Sequence, residues 1–120
     1  MNKRIIGKYA EEKAIDFLIQ NKYKILAKNY SNKLGEIDII AQDKNDLVFI
    51  EVKYRTNFLY SKPEFSVNYK KQQKLIKLAL TYIKEKNIKN KNVRFDVISI
   101  TPQGLNLIKN AFVSHYLSLY

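Results

Sequence analysis

The chain has 120 residues, of which 46% are hydrophobic and 28% charged, and it contains no cysteine. That length suits one globular domain, residues 1–120, and the composition is that of a folded chain; the missing thiols exclude a disulfide scaffold, a cysteine nucleophile and a zinc–thiolate site. Lys and Arg number 22 against 11 Asp and Glu, and a net charge of +11 on so small a domain points to a polyanion, nucleic acid before membrane.

The apolar runs are too short to cross a bilayer, and Asn2-Lys3-Arg4 leads into only Ile5-Ile6-Gly7 before Lys8, so no signal-peptide pattern follows Met1 and a cytoplasmic protein is expected. The charge is unevenly placed. Residues 1–28 and 62–94 are strongly basic, whereas residues 29–61 carry five acidic against four basic side chains. An acidic centre between basic flanks suits a site that holds metal ions in the middle and phosphates around it.

In chain order, residues 5–21 read as a helix with Ile6, Ala10, Ala14, Phe17 and Leu18 on one face. Lys24 to Asn29 is a short strand, Leu34 to Gln42 an Ile-rich second one, Asp43 to Asp46 a polar turn, and Leu47 to Tyr54 a third strand. Residues 55–68 read as a loop edged by the aromatics Tyr54, Phe58, Tyr60, Phe65 and Tyr69, which either roof the core or stack on bases. Residues 69–86 form a second amphipathic helix with the stripe Leu75, Leu78, Ala79, Tyr82 and Ile83. Val93 to Thr101 is a fourth strand, closed by Pro102-Gln103-Gly104, with a short strand after it. The order α-β-β-β-α-β predicts a single α/β domain with a mixed sheet flanked by helices. The apolar tail from Ala111 to Tyr120 reads as a core-packing segment, and His115, the sole histidine, as structural.

The chemistry concentrates in Gly35-Glu36-Ile37-Asp38 and Phe49-Ile50-Glu51-Val52-Lys53. Side chains alternate along a strand, so Glu36, Asp38 and Ile40 share one face, and Phe49, Glu51 and Lys53 share one on the next strand. With a turn at 43–46, Gln42 pairs with Leu47, which sets Asp38 opposite Glu51 and Glu36 opposite Lys53. Facing carboxylates repel unless a cation lies between them, and Mg²⁺ is commonly held by one or two carboxylates with water and phosphate oxygens. Lys53 would reach a phosphate or a metal-bound water. The same four residues also fit a solvated, self-neutralising strand face. On the first helix only Glu11 borders the apolar arc, while Glu12 and Asp16 point away. On the second, Lys70, Lys74 and Lys77 form a basic face and Lys71 lies beside the stripe in the first turn.

These residues resemble the bacterial YraN family, which is in turn similar to the PD-(D/E)xK nuclease superfamily, archaeal Holliday-junction resolvases included. The likeness spans nearly the whole chain: Glu11 and Ala14, Asn29-Tyr30, Gly35-Glu36-Ile37-Asp38, Glu51-Val52-Lys53-x-Arg55, Pro63 with Val67, Lys71 with Leu75, Arg94-Phe95-Asp96-Val97 and Ala111-Phe112. It departs at Ala10 and Ser61, where glycine is common in the family. The resemblance implies a restriction-endonuclease-like fold and a metal-dependent phosphodiesterase acting on DNA, branched or structured DNA included. Asp38 and Glu51 would bind Mg²⁺ or Mn²⁺, Glu11 would complete or back the site, and Lys53 would orient the attacking water. Lys70, Lys71, Lys74 and Arg55 are the expected nucleic-acid contacts, and a homodimer is expected by analogy, since a junction needs two active sites. The rival expectation is a non-catalytic nucleic-acid-binding module that keeps the fold.

Overall fold

The computed structural model describes residues 3–55 and 68–112. Helix α1 (Lys3–Gln20) buries Ala10, Ala14 and Leu18, spaced four apart so that they stack on one side. The helix ends without glycine. Lys22 takes a left-handed φ of 67°, and the N–H groups of Lys22 and Tyr23 donate to the carbonyls of Ile19 and Leu18. This is the Schellman pattern, and it turns Tyr23 inward. Strands β1 (Lys24–Asn32), β2 (Gly35–Asp43) and β3 (Asp46–Tyr54) form an antiparallel meander. Helix α2 (Tyr69–Glu85) crosses over to β4 (Asn92–Thr101), which pairs parallel with β3, and β5 (Gly104–Phe112) closes the sheet antiparallel to β4. Strand order is β1-β2-β3-β4-β5. The described residues thus form a single α/β domain with a five-stranded mixed sheet, consistent with a restriction-endonuclease-like fold.

Among the described residues each face of the sheet carries one helix and one core. Ala10, Ala14 and Leu18 of α1 pack on Ile39, Val48, Ile50 and Ile98, while Leu75, Leu78, Ala79, Tyr82 and Ile83 of α2 pack on Ile40, Phe49, Phe95 and Val97. The α2 stripe is the expected one, joined by Ile76. Tyr82 meets Tyr30 and Phe49 edge-on at 5.3 and 6.0 Å between ring centroids, an aromatic arrangement that favours one docking of the helix.

Several boundaries differ from those read off the sequence. β1 runs three residues further, because Asn32 pairs with Gly35 across a turn in which its Oδ1 accepts the Leu34 N–H at 2.7 Å. The polar turn tightens to Lys44-Asn45, with Asp43 and Asp46 paired. The last strand is a full nine residues rather than a short one. The aromatics Phe58, Tyr60 and Phe65, together with Pro63, Ser61, His115 and the tail beyond Phe112, lie outside the described residues.

Candidate active site

The register between β2 and β3 is the one the turn length dictates: Gln42 faces Leu47, Ile40 faces Phe49 and Ile39 faces Ile50. At the next level a side chain enters the pattern. The Asp38 carboxylate accepts the Val52 N–H at 2.7 Å, so β2 offers β3 a carboxylate where a strand would offer a carbonyl. The alternation of β2 breaks here as well. Ile37 belongs to the core under α2 and Ile39 to the core under α1, an even spacing that regular pleating would keep on one side. Glu36 is therefore not the regular cross-strand partner of Lys53 expected from the alternation. It is exposed at the rim and borders both the cleft under α2 and the one under α1. The physical reason is the side-chain insertion at Asp38, which an alternation rule does not contain.

A cleft of about 580 Å³ opens between this end of β2 and β3 and the first turn of α2, lined by Glu36, Asp38, Glu51, Asn68, Lys70, Lys71 and Lys74, with Leu75 and Leu78 of α2 on its helix side. Glu51 is buried, with 7% of its side chain exposed, and its Oε1 receives the Lys71 ammonium at 2.7 Å and the Lys53 ammonium at 3.5 Å. Asn68 caps α2, its Oδ1 accepting the Lys71 N–H at 2.9 Å, which fixes the turn from which Lys71 reaches Glu51.

Burial, and next the Glu51 charge, push the Asp38 carboxyl up to about 7 from an ordinary 3.8; the Val52 bond opposes this, and Glu11 and Glu36 add to it. Burial lowers the Lys53 ammonium, with the Lys71 charge adding to the effect and Glu51 opposing it. Burial also works against the Lys71 ammonium, but its bonds to Glu51 outweigh that and hold it above the usual lysine range. A perturbed acid, a perturbed base and an open cleft together are the usual signature of a functional site.

The donor set fits a hard divalent cation. Asp38 and Glu51 supply carboxylate oxygens at the cleft floor, where the lysines now provide the positive charge. Among the described residues no three His, Cys, Asp or Glu side chains are grouped as a full ligand set, so water and substrate oxygens would complete the shell. Glu11 stands apart from the pair: its Oε1 accepts Asn29 Nδ2 at 2.8 Å on the α1 side, although its charge still acts on Asp38. Lys70 and Lys74 edge the cleft and are exposed. Arg55 continues from β3 with its N–H on the Ile100 carbonyl at 2.8 Å and its Nε buried, so its guanidinium is partly taken into the fold rather than offered wholly to a ligand.

The fold also holds a polar cluster that the sequence pattern does not assemble. Arg94 Nε and Nη2 meet the two oxygens of Asp96 at 3.0 Å each, while Nη1 bonds Asp46 at 2.9 Å and Nη2 bonds Asp43 at 3.0 Å and the Tyr23 hydroxyl at 2.8 Å. Asp96 has no exposed side-chain surface and also accepts the Asn110 N–H. One guanidinium thus ties four segments at the end of the sheet where β3 and β4 begin, and Asp96 adds β5 through the Asn110 N–H. A signal for it exists in the sequence: Arg94 is one of only three arginines in a lysine-rich chain, and it lies in an apolar strand where a planar fork is the reason to prefer Arg.

Comparison with known proteins shows the family. The profile of "Uncharacterised protein family UPF0102" matches residues 10–100, which include Glu11, Asp38, Glu51, Lys53, Lys71 and Asp96. A UPF0102 protein of Thermodesulfovibrio yellowstonii is 54% identical over 107 residues, covering 89% of this chain and 95% of the relative. Others from Persephonella marina and Caldanaerobacter subterraneus are 44% and 42% identical, covering 93% and 100% of this chain and 97% and 98% of the relatives. Among the described residues no helix is long and apolar enough to cross a membrane. The chain belongs to the UPF0102 family, the YraN family that its hairpin motif resembles.

Proposed function

We propose that this protein is a metal-dependent phosphodiesterase that cuts DNA endonucleolytically, branched or structured DNA included, with Mg²⁺ or Mn²⁺ as the ion. The observation that carries the reading is the Asp38–Glu51 carboxylate pair at the floor of an open cleft, with Lys53 and Lys71 both on Glu51. A divalent ion bound there would acidify a water and offset charge developing on the phosphoryl oxygens. Asp38 and Glu51 would hold that ion, and Lys53 would orient the attacking water and donate to the transition-state oxygens. Lys71, Lys70 and Lys74 would hold flanking phosphates, Lys71 on leaving Glu51. The rival reading, a binding module without catalysis, does not account for burying two acids in a surface meant to meet phosphates.

End-labelled single-stranded, duplex, flap and four-way-junction DNA, incubated with Mg²⁺, Mn²⁺ or EDTA, tests the proposal. Cleavage should vanish in EDTA and in Asp38→Asn and Lys53→Ala. Binding without cutting in either metal, unchanged by both substitutions, would overturn it in favour of the binding module. Two sites in a homodimer would serve a junction, and a solution mass of twice 14.2 kDa is the corresponding expectation.

A further inference from the structure

Strand β1 departs from regular pleating at Asn29 while its pairing with β2 stays in register on either side, Lys28 with Ile39 and Tyr30 with Ile37. Asn29 adopts a left-handed φ of 53°, a conformation tolerated best by Gly and Asn. The departure reorients the strand: Lys28 and Asn29 both border the cleft under α1, and Tyr30 then packs on Tyr82 under α2. The register brackets Asn29 opposite Asp38, since Lys28 faces Ile39 and Tyr30 faces Ile37. Both strands therefore lose their alternation at one level, the level of the carboxylate site. From this position Asn29 Nδ2 donates to Glu11 Oε1 at 2.8 Å.

A neutral amide orients a carboxylate without cancelling its charge, whereas a lysine would do both. We propose that Asn29 is a positioning residue, whose left-handed turn delivers a side-chain amide that holds the Glu11 carboxylate on the α1 side, at the strand level of Asp38, as an outer partner of the divalent ion. The inference rests on the metal-dependent reading above. Outer partners of this kind typically contribute about 10–100-fold to metal affinity. A bond serving only to tie α1 to β1 would affect stability and leave metal affinity unchanged.

Calorimetric titration with Mn²⁺ alone, alongside thermal unfolding in EDTA, separates the two roles. Asn29→Gly keeps the left-handed backbone and deletes the amide. It should weaken Mn²⁺ binding about 10–100-fold, Glu11→Gln should do the same, and Asn29→Gly in the Glu11→Gln background should add nothing further, as for two residues acting as one unit. Wild-type Mn²⁺ affinity in folded Asn29→Gly or in folded Glu11→Gln, or an undiminished loss in the Glu11→Gln background, would overturn the inference. Wild-type protein that takes up no Mn²⁺ dependent on Asp38 would instead overturn the metal-dependent reading, and this inference with it.

Discussion

Replacing Asp38 with Asn should make the metal-free protein more stable above about pH 4, by a margin that grows up to pH 7 and then levels off. The native fold holds this carboxyl at about 7 against an ordinary 3.8, chiefly by burial and then by the Glu51 charge. The folded chain therefore binds the proton more tightly than the unfolded chain, and the stability this provides is complete below about pH 4 and lost as pH rises through 7. A shift of about three pKa units at 1.36 kcal/mol each sets a ceiling of ~4 kcal/mol. The group borders an open cleft, so screening reduces this to about 2 kcal/mol. Asn has the same size, keeps an oxygen for the Val52 N–H and carries no charge. In EDTA at pH 8 the variant should unfold roughly 8 °C above the parent, for a domain of this size, and near pH 4 the two should coincide. Mg²⁺ should raise the parent's unfolding temperature at pH 8 and leave the variant's unchanged. Circular-dichroism melts from pH 4 to 9 provide the test. Parallel pH profiles for parent and variant, or a variant less stable at pH 8, would refute the argument that Asp38 is held charged against burial and Glu51.

Arg94→Ala would strand the buried Asp96 without its guanidinium and should cost about 3–5 kcal/mol in urea unfolding, while a loss under about 1 kcal/mol would mean the cluster is not a structural tie. Lys71→Met removes the ammonium that occupies Glu51, so Mn²⁺ should bind several-fold tighter by calorimetry, about 1 kcal/mol for so exposed a lysine; unchanged or weaker binding would contradict the competition. The exposed Lys70 and Lys74 should act through phosphate charge alone. Their joint replacement by Ala should weaken DNA binding at low salt and flatten the log–log salt dependence by about 0.9 for each phosphate no longer neutralised, which fluorescence anisotropy between about 50 and 200 mM salt would read. An unchanged slope would mean that neither lysine meets the backbone.

The legible parts of this protein are those encoded by neighbours in sequence. Stripes at helical spacing located both helices and nearly every residue each buries. A short turn between two alternating segments set the β2–β3 register, because side-chain period and loop length leave one pairing that keeps the apolar faces inward. The same two facts brought Asp38 and Glu51 to one level, and a hydrophobic stripe in α2 marked Lys71 as the lysine nearest the sheet. What escaped has a common cause. Nothing local says that the Asp38 side chain will replace a carbonyl in the ladder, that Asn29 will turn left-handed opposite it, or that Glu36 will thereby move to the rim. Arg94 gathers Tyr23, Asp43, Asp46 and Asp96 from segments as many as 71 residues apart. Lys71 meets Glu51 because α2 crosses the sheet at one angle, held there by Tyr82 between Tyr30 and Phe49. Periodicity specifies which face of an element is apolar and hence which side chains are left to meet solvent. The distances among those polar side chains depend on how the elements dock, and packing of the two cores determines that.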